Sequence, residues 1–442
     1  MESNFGRPAP QLLMKGLRRL TGVLSLALTR SGSSISRRDC MRRLIPQHGT
    51  KPTSFVISSD QNPASRHSME QSCRRPCLNP NPFLGVFYHW TGGLSAASCY
   101  LPFRGIRRWS WEIYWLVQGC FCWIVAPLIF AGLLVPRLGV ILHGASGSTL
   151  FYAWFWGAMW GIGGLLFGLG VRYLGIALGY TIALGFSTAF GTLVPPLFAG
   201  QLASVARELP GQVVISGVAI CLAAIVVSGW AGRMKERDLA GAPAVDAASP
   251  GGRGEFLFKR GILVASFAGI MSACFAYGLA AGKPISDATR LVLLTHARSD
   301  LWQSLPALVI VLWGGFTTNM LWCGGLLIRN RSATQFFGTS DAGVRIGARQ
   351  IALNYTLAAA AGLLWYLQFF FYSMGQTRMG KYDFSSWTLH MAGTILFATL
   401  WGVVLHEWRG TSRRTRVMGA TGFLLLVLST LVVGYGNYLK AH

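Results

Sequence analysis

Charge is scarce in this chain. Asp, Glu, Lys and Arg together make up 12% of 442 residues, about half the share in an ordinary soluble domain. With 52% hydrophobic residues, such a chain could not cover its apolar surface in water, which excludes a soluble globular fold. Acids are rarer still, 15 against 39 basic residues. The connections hold only basic residues and isolated acids, so a membrane enzyme or a sensor is a poor fit. Among the nine cysteines there is no C-x-x-C pair, which argues against a zinc or redox site and leaves them as packing residues. Gly161-Ile-Gly163 lacks the third glycine and flanking strand of a nucleotide-binding loop. Neither a cofactor nor a metal is therefore expected. The net charge of +24 raises the question of nucleic acid. Its placement in short connections between apolar runs answers it, because there Lys and Arg set membrane topology.

What the chain does have is long uncharged runs. Residues free of Lys, Arg, Asp and Glu extend over 83–103, 113–136, 138–171, 173–206, 209–232, 261–282, 301–328, 350–377, 384–405 and 417–439. A helix needs about 20 apolar residues to cross a bilayer, so the runs predict ten transmembrane helices. The 54 glycines suit close helix packing in lipid, as in Gly157-x-x-x-Gly161, Gly164-x-x-x-Gly168 and Gly175-x-x-x-Gly179. Prolines 127, 195, 196 and 306 interrupt runs and are candidate hinges.

Alternate connections carry 18 and 8 Lys and Arg. The positive-inside rule places the richer set in the cytoplasm and both ends of the ten-helix body outside. Residues 1–82 run against this with 13 basic and 4 acidic residues. They read as a disordered tail, as a crude signal built on Lys15 to Leu28, or as an upstream extension of a start near Met69 or Leu78. The extension reading is preferred, since the topology makes sense without the tail.

The chain also repeats itself weakly. Ser95-Ala-Ala-Ser-Cys-Tyr100 in the first run is echoed by Ser272-Ala-Cys-Phe-Ala-Tyr277 in the sixth. Five runs separate the copies, so the second half is inserted upside down, a transporter design with a site between the halves. The expected units are a tail 1–82, a first half 83–232, a cytoplasmic linker 233–260 and a second half 261–442.

Ionisable groups at bilayer depth cost several kcal/mol and mark function. His89 and His390 are the only ones well inside fully buried runs, while Glu112, Arg172, Lys283, Asp300 and Asp383 sit at edges. Asp383, Ser386, Trp387 and His390 share one helix face, and Trp365, Gln368, Phe369 and Tyr372 share another. Hydrogen-bonding groups beside aromatic rings suit a sugar, whose hydroxyls need partners and whose C–H face packs on carbon. A histidine with a pKa near 6.5 can take a proton from a mildly acidic exterior and release it inside. Trp109, Trp111, Trp115 and Trp408 read as an interfacial belt. Packing explains each polar residue as well, with neutral hydrogen-bonded histidines the plain alternative.

Long ordered segments carry a resemblance. Tyr88-His-Trp-Thr-Gly-Gly-Leu-Ser-Ala-Ala-Ser-Cys-Tyr-Leu-Pro-Phe103, Arg107-Arg-Trp-Ser-Trp-Glu112, Gly157-Ala-Met-Trp-Gly-Ile-Gly163, Lys283-Pro284, Trp365-Tyr-Leu-Gln-Phe-Phe-Phe-Tyr372, Tyr382-Asp-Phe-Ser-Ser-Trp-Thr-Leu-His-Met391 and Glu407-Trp408 resemble the L-rhamnose–proton symporters, a branch of the drug/metabolite transporter superfamily. The resemblance covers about Phe83 to Tyr438. It implies an all-α membrane protein of two inverted five-helix repeats in a bacterial inner membrane, importing a 6-deoxyhexose with a proton. The candidate proton-coupling residues are then His89, His390, Asp383 and Glu112. The candidate sugar contacts are Gln368, Trp365, Tyr372, Trp387, Lys283 and Tyr100. Leu279-Ala-Ala-Gly282 lacks an amide expected near position 280, and residues 1–77 have no counterpart. Partners are a small sugar, a proton and the lipid bilayer, with oligomeric state left open. A carrier for another metabolite, or an exporter, is the alternative.

Overall fold

The computed structural model describes residues 80–174, 176–240, 258–339 and 344–441. The tail expected over 1–82 lies outside these up to residue 79, as do Gly175 and most of the linker expected over 233–260. In the body from Pro76 onward, helices follow one another, with only one isolated β-bridge among the described residues, Thr339 to Arg345. They are α1 Pro82–Ser98, α2 Trp111–Leu134, α3 Leu138–Gly144, α4 Gly147–Leu174, α5 Ile176–Phe198, α6 Leu202–Arg207 and α7 Leu209–Ala240. The second series is α8 Phe258–Ala281, α9 Lys283–Thr295, α10 Leu305–Asn330, α11 Ala348–Arg378, α12 Ser386–Val404 and α13 Arg413–Ala441. Nine helices among the described residues are long and apolar enough to cross a membrane. Helix α1 is not one of the nine: it has 17 residues, where the run 83–103 promised more. This is an all-α, multi-pass membrane protein.

The ends of the elements follow local chemistry. Asn81 caps α1 by accepting from the Leu84 N–H at 3.1 Å, with Pro82 in the first turn where no donor is needed. At the C-terminus of α5, Gly200 takes φ +67°. The Gln201 N–H then reaches Pro196 O at 2.8 Å and the Gly200 N–H reaches Leu197 O at 3.0 Å, a left-handed stop. In α2 a π turn over Phe121–Val125 precedes Pro127, whose ring cannot share the turn with the Trp123 carbonyl. That proline widens its helix. Pro306 does not act as the sequence suggested: it lies in the first turn of α10 and interrupts nothing.

Two connections are more ordered than the runs implied. The third run, 138–171, divides into the short α3 and the long α4, and His143 falls in α3. The expected connection 283–298 is mostly helix α9, which starts on Lys283-Pro284.

Packing pairs the helices in a regular way. Helix α1 lies against α11 and α12, and α8 lies against α4 and α5. Helix α4 meets α10, as α11 meets α2, and α7 pairs with α13. Glycines set the closest crossings. A Cβ on Gly161 would lie 2.9 Å from the Gly315 carbonyl, and one on Gly157 would collide with that of Val311. Gly164 and Gly168 have nothing within 4 Å, so that GxxxG pair is not a contact among the described residues.

The tryptophan belt is also corrected. Trp109 is buried and donates to Gln335 O at 3.1 Å; Trp115 donates to Asn319 Oδ1 at 3.0 Å inside an aromatic cluster. Loop and α10 acceptors draw both rings inward. Trp111 remains exposed, and Trp408 is partly covered, with the Lys235 ammonium 5.3 Å from its ring.

Candidate functional site

Two histidines are set into glycine notches at the meeting of α1, α11 and α12. His89 is fully buried on α1, and a Cβ on Gly375 of α11 would stand 2.8 Å from its Nε2. His390, 1% exposed on α12, faces Gly92 of α1, whose Cβ would come within 3.4 Å of its Nδ1. Only a residue without a side chain leaves room for His89 at Gly375, whereas at Gly92 it is the Gln368 carbonyl, 2.9 Å from such a Cβ, that demands glycine.

Tyr372 packs against both. Its ring centroid is 5.4 Å from that of His89 and 5.4 Å from that of His390. His390 Nε2 meets Gln368 Oε1 at 3.3 Å. His390 Nδ1 and both ring nitrogens of His89 have no hydrogen-bond partner among the described residues. An unpaired polar atom away from water is costly and rarely retained without cause. Trp387 completes the group. It donates to Ser187 O at 2.9 Å, lies 5.7 Å from Tyr372 and stacks on Phe275 at 5.6 Å. A Cβ on Gly191 would collide with its indole.

Tyr372 also lines a cavity of about 190 Å³, below the roughly 300–1,000 Å³ of drug-sized pockets and suited to one small polar ring. Lys283, Asp287, Gln303, Gln376 and Asp383, with the hydroxyls of Ser286, Ser304 and Thr377, supply its polar lining, and Tyr372 and Phe384 its aromatic one. Lys283 Nζ meets Asp287 Oδ1 at 3.2 Å. Amide, ammonium and carboxylate groups can between them donate to and accept from every hydroxyl of such a ring.

The chain belongs to the L-rhamnose-proton symport protein family. A model of that family matches residues 78–438. The chain is 34% identical over 356 residues to the L-rhamnose-proton symporter of Klebsiella pneumoniae (strain 342), covering 80% of this chain and 97% of the relative. It is also 34% identical to those of Shigella flexneri and Escherichia coli (strain 55989 / EAEC), over 354 residues in each case and with the same coverage.

Within this symport family member, all but one of the residues singled out from the sequence fall into three places. His89, His390, Gln368, Tyr372 and Trp387 meet in one buried group. Asp383 and Lys283 line the adjoining cavity with Tyr372. Trp365 and Tyr100 meet each other instead, 5.7 Å apart, in a cluster with Trp115 and Phe103. Glu112 stands apart from all of these. It begins α2 and accepts from Asn330 Nδ2 at 3.0 Å and Ser332 Oγ at 2.8 Å, a buried tie between α2 and the end of α10.

Sequence reading missed Gln303, Asp287 and Gln376 in the lining, and the notches Gly92, Gly191 and Gly375. Gln376 was within reach, since it extends the Trp365–Gln368–Tyr372 stripe by one more turn. Asp287 lies one turn from Lys283 once α9 is known to be helical. The glycines gave no such signal among 54.

Proposed function

We propose that this protein imports L-rhamnose, or a close 6-deoxyhexose, together with a proton by alternating access. The single observation that carries the reading is the sugar-sized polar cavity whose wall, Tyr372, also packs against two buried histidines. The names of the relatives supply the substrate and the coupling ion. The sugar would lie among Lys283, Gln376 and Asp383, with its C–H face on Tyr372 and Phe384. Asp383 would meet the proton first at the cavity, and His390 or His89 would hold it behind Tyr372. Gln368 would orient His390. Trp387 would fix the Tyr372 ring.

By linkage, a proton that tightens sugar binding is itself bound more tightly when sugar is present. A proton binding both orientations equally would shift neither, so it must discriminate loaded from empty carrier. Burial of the histidines in one orientation and their exposure to water in the other would supply that difference.

The architecture behind this is ten membrane helices in two inverted repeats, 83–232 and 261–442, joined by a cytoplasmic linker over 233–260. What supports it is the packing. With α1 counted as a span, moving five spans along takes α1 to α8 and takes its partners α11 and α12 to α4 and α5, which are the partners of α8. Two-fold related halves require that exchange. The protein would sit in the inner membrane with both ends of the body outside, so the cavity would face outward.

Labelled L-rhamnose uptake into proteoliposomes, with and without an inward proton gradient and with fucose, lyxose and glucose as competitors, tests the reading. Gradient-driven accumulation blocked by excess rhamnose is expected. Folded protein that moves no rhamnose would return the substrate to another metabolite.

A further inference from the structure

An unbroken column of aromatic rings leaves the floor of the cavity and runs away from it. Tyr372 lies 5.9 Å from Phe275, Phe275 5.4 Å from Trp160, and Trp160 6.1 Å from Trp123. Trp123 lies 6.4 Å from Trp115, which stacks at 5.3 Å on the exposed Trp111. Rings from α2, α4, α8 and α11 thus connect the cavity to the far end of the bundle, where Glu112 ties α2 to α10.

The column is packed shut, yet its polar atoms are not satisfied. Gln118 is 1% exposed, one turn from Trp115, and neither its Nε2 nor its Oε1 has a hydrogen-bond partner among the described residues. The same holds for the indole N–H of Trp123 and that of Trp365, whose ring is 5.9 Å from Trp115. A packing role does not need an amide here, since leucine would fill the space without unmet donors and acceptors. The helix is locally special as well: the π turn Phe121–Val125 begins three residues after Gln118 and carries Trp123, and such turns frequently mark functional sites.

We propose that this column is the closed inner half of the sugar path, and that Gln118 is a sugar-binding residue of the inward-facing state, assisted by the Trp123 indole N–H. The inference rests on the transport reading above. When the path opens, aromatic faces are offered to the C–H face of the sugar and the Gln118 amide to its hydroxyls. The unmet polar atoms also raise the free energy of the closed column, which favours its opening.

The test uses Gln118→Leu and Trp123→Phe in the full chain, assayed for equilibrium rhamnose binding, gradient-driven uptake and the ratio of rhamnose to fucose uptake. Expected for Gln118→Leu are wild-type binding at the cavity, a thermal midpoint at or above wild type, uptake at least tenfold lower, and a changed sugar ratio. Trp123→Phe, which keeps an aromatic ring but removes the pyrrole half of the indole with its N–H donor, is expected to change the ratio in the same direction. Wild-type uptake and ratio in both variants overturn the proposal. So does slowing of both sugars alike in both variants, the mark of a purely structural role. A wild-type chain that neither binds nor transports rhamnose overturns the transport reading instead, so the two failures are distinct.

Discussion

At the scale of single residues, one ring, Tyr372, is shared by the cavity proposed for the sugar and the buried histidines proposed for the proton. Asp383 lines the cavity, whereas His390 lies behind Tyr372 and contributes nothing to the cavity wall. Both His390→Ala and Asp383→Asn are therefore expected to abolish uphill accumulation, leaving internal sugar no higher than external. His390→Ala is expected to retain rhamnose counterflow, because the sugar contacts remain. Uphill accumulation in either variant would remove that residue from the coupling. Gly375→Ala probes the same group from outside it, since the added methyl falls 2.8 Å from His89 Nε2. Overpacking at such a site costs about 1–3 kcal/mol, so a lower thermal midpoint is expected in detergent. The titratable residues of this group were legible because charge inside an apolar run is conspicuous in any sequence. Their glycine counterparts were not, because a notch is defined by what approaches it from another helix.

At the scale of elements, period and pitch decide what can be read. Among the described residues, nine of the ten uncharged runs correspond to helices able to span; of the expected face, Ser386, Trp387 and His390 lie in α12, whereas Asp383 falls in the 3-10 turn before it. GxxxG illustrates the limit. Gly157 and Gly161 meet α10, whereas Gly164 and Gly168, one and two turns on, meet nothing within 4 Å. Gly157→Ala should destabilise by about 1–3 kcal/mol through collision with the Val311 carbonyl. Gly164→Ala and Gly168→Ala should stay within about 0.5 kcal/mol of wild type or gain slightly from better helix propensity. Thermal unfolding of the three variants side by side checks the contrast. Glu208, just before α7, makes a second element-level test. Its carboxyl accepts from Lys440 of α13 and from Tyr382 at 2.6 Å, and Lys381 stands 3.7 Å away. These partners hold it at about 2 against the usual 4.5. A depressed carboxyl pKa stabilises fully above the unfolded value, and that contribution fades as pH falls from about 4.5 toward 2. Glu208→Gln should therefore lower the thermal midpoint near neutrality, with the gap to wild type closing below pH 4.5.

At the scale of the whole molecule, topology and orientation have separate origins. A protease-cleavable tag at the C-terminus should be cut from outside in intact cells if the 18-to-8 bias in Lys and Arg sets orientation. Protection there, with cleavage only in inverted vesicles, would reverse the body and turn the cavity toward the cytoplasm. Composition alone settled that the chain lives in a membrane as a set of helices, because hydrocarbon admits few other ways to satisfy a backbone. Its ordered motifs carried the family. Which polar residues share a site was decided only by tertiary packing. Trp365 and Tyr372 share a helical stripe, yet one joins the Trp115 cluster and the other the cavity. Glu112 and Asp383 look alike as acids at run edges, yet one is a buried tie at the far end of the bundle and the other a cavity wall. Helical period fixes an angle around one axis, but the partner met along that face depends on crossings between helices far apart in sequence.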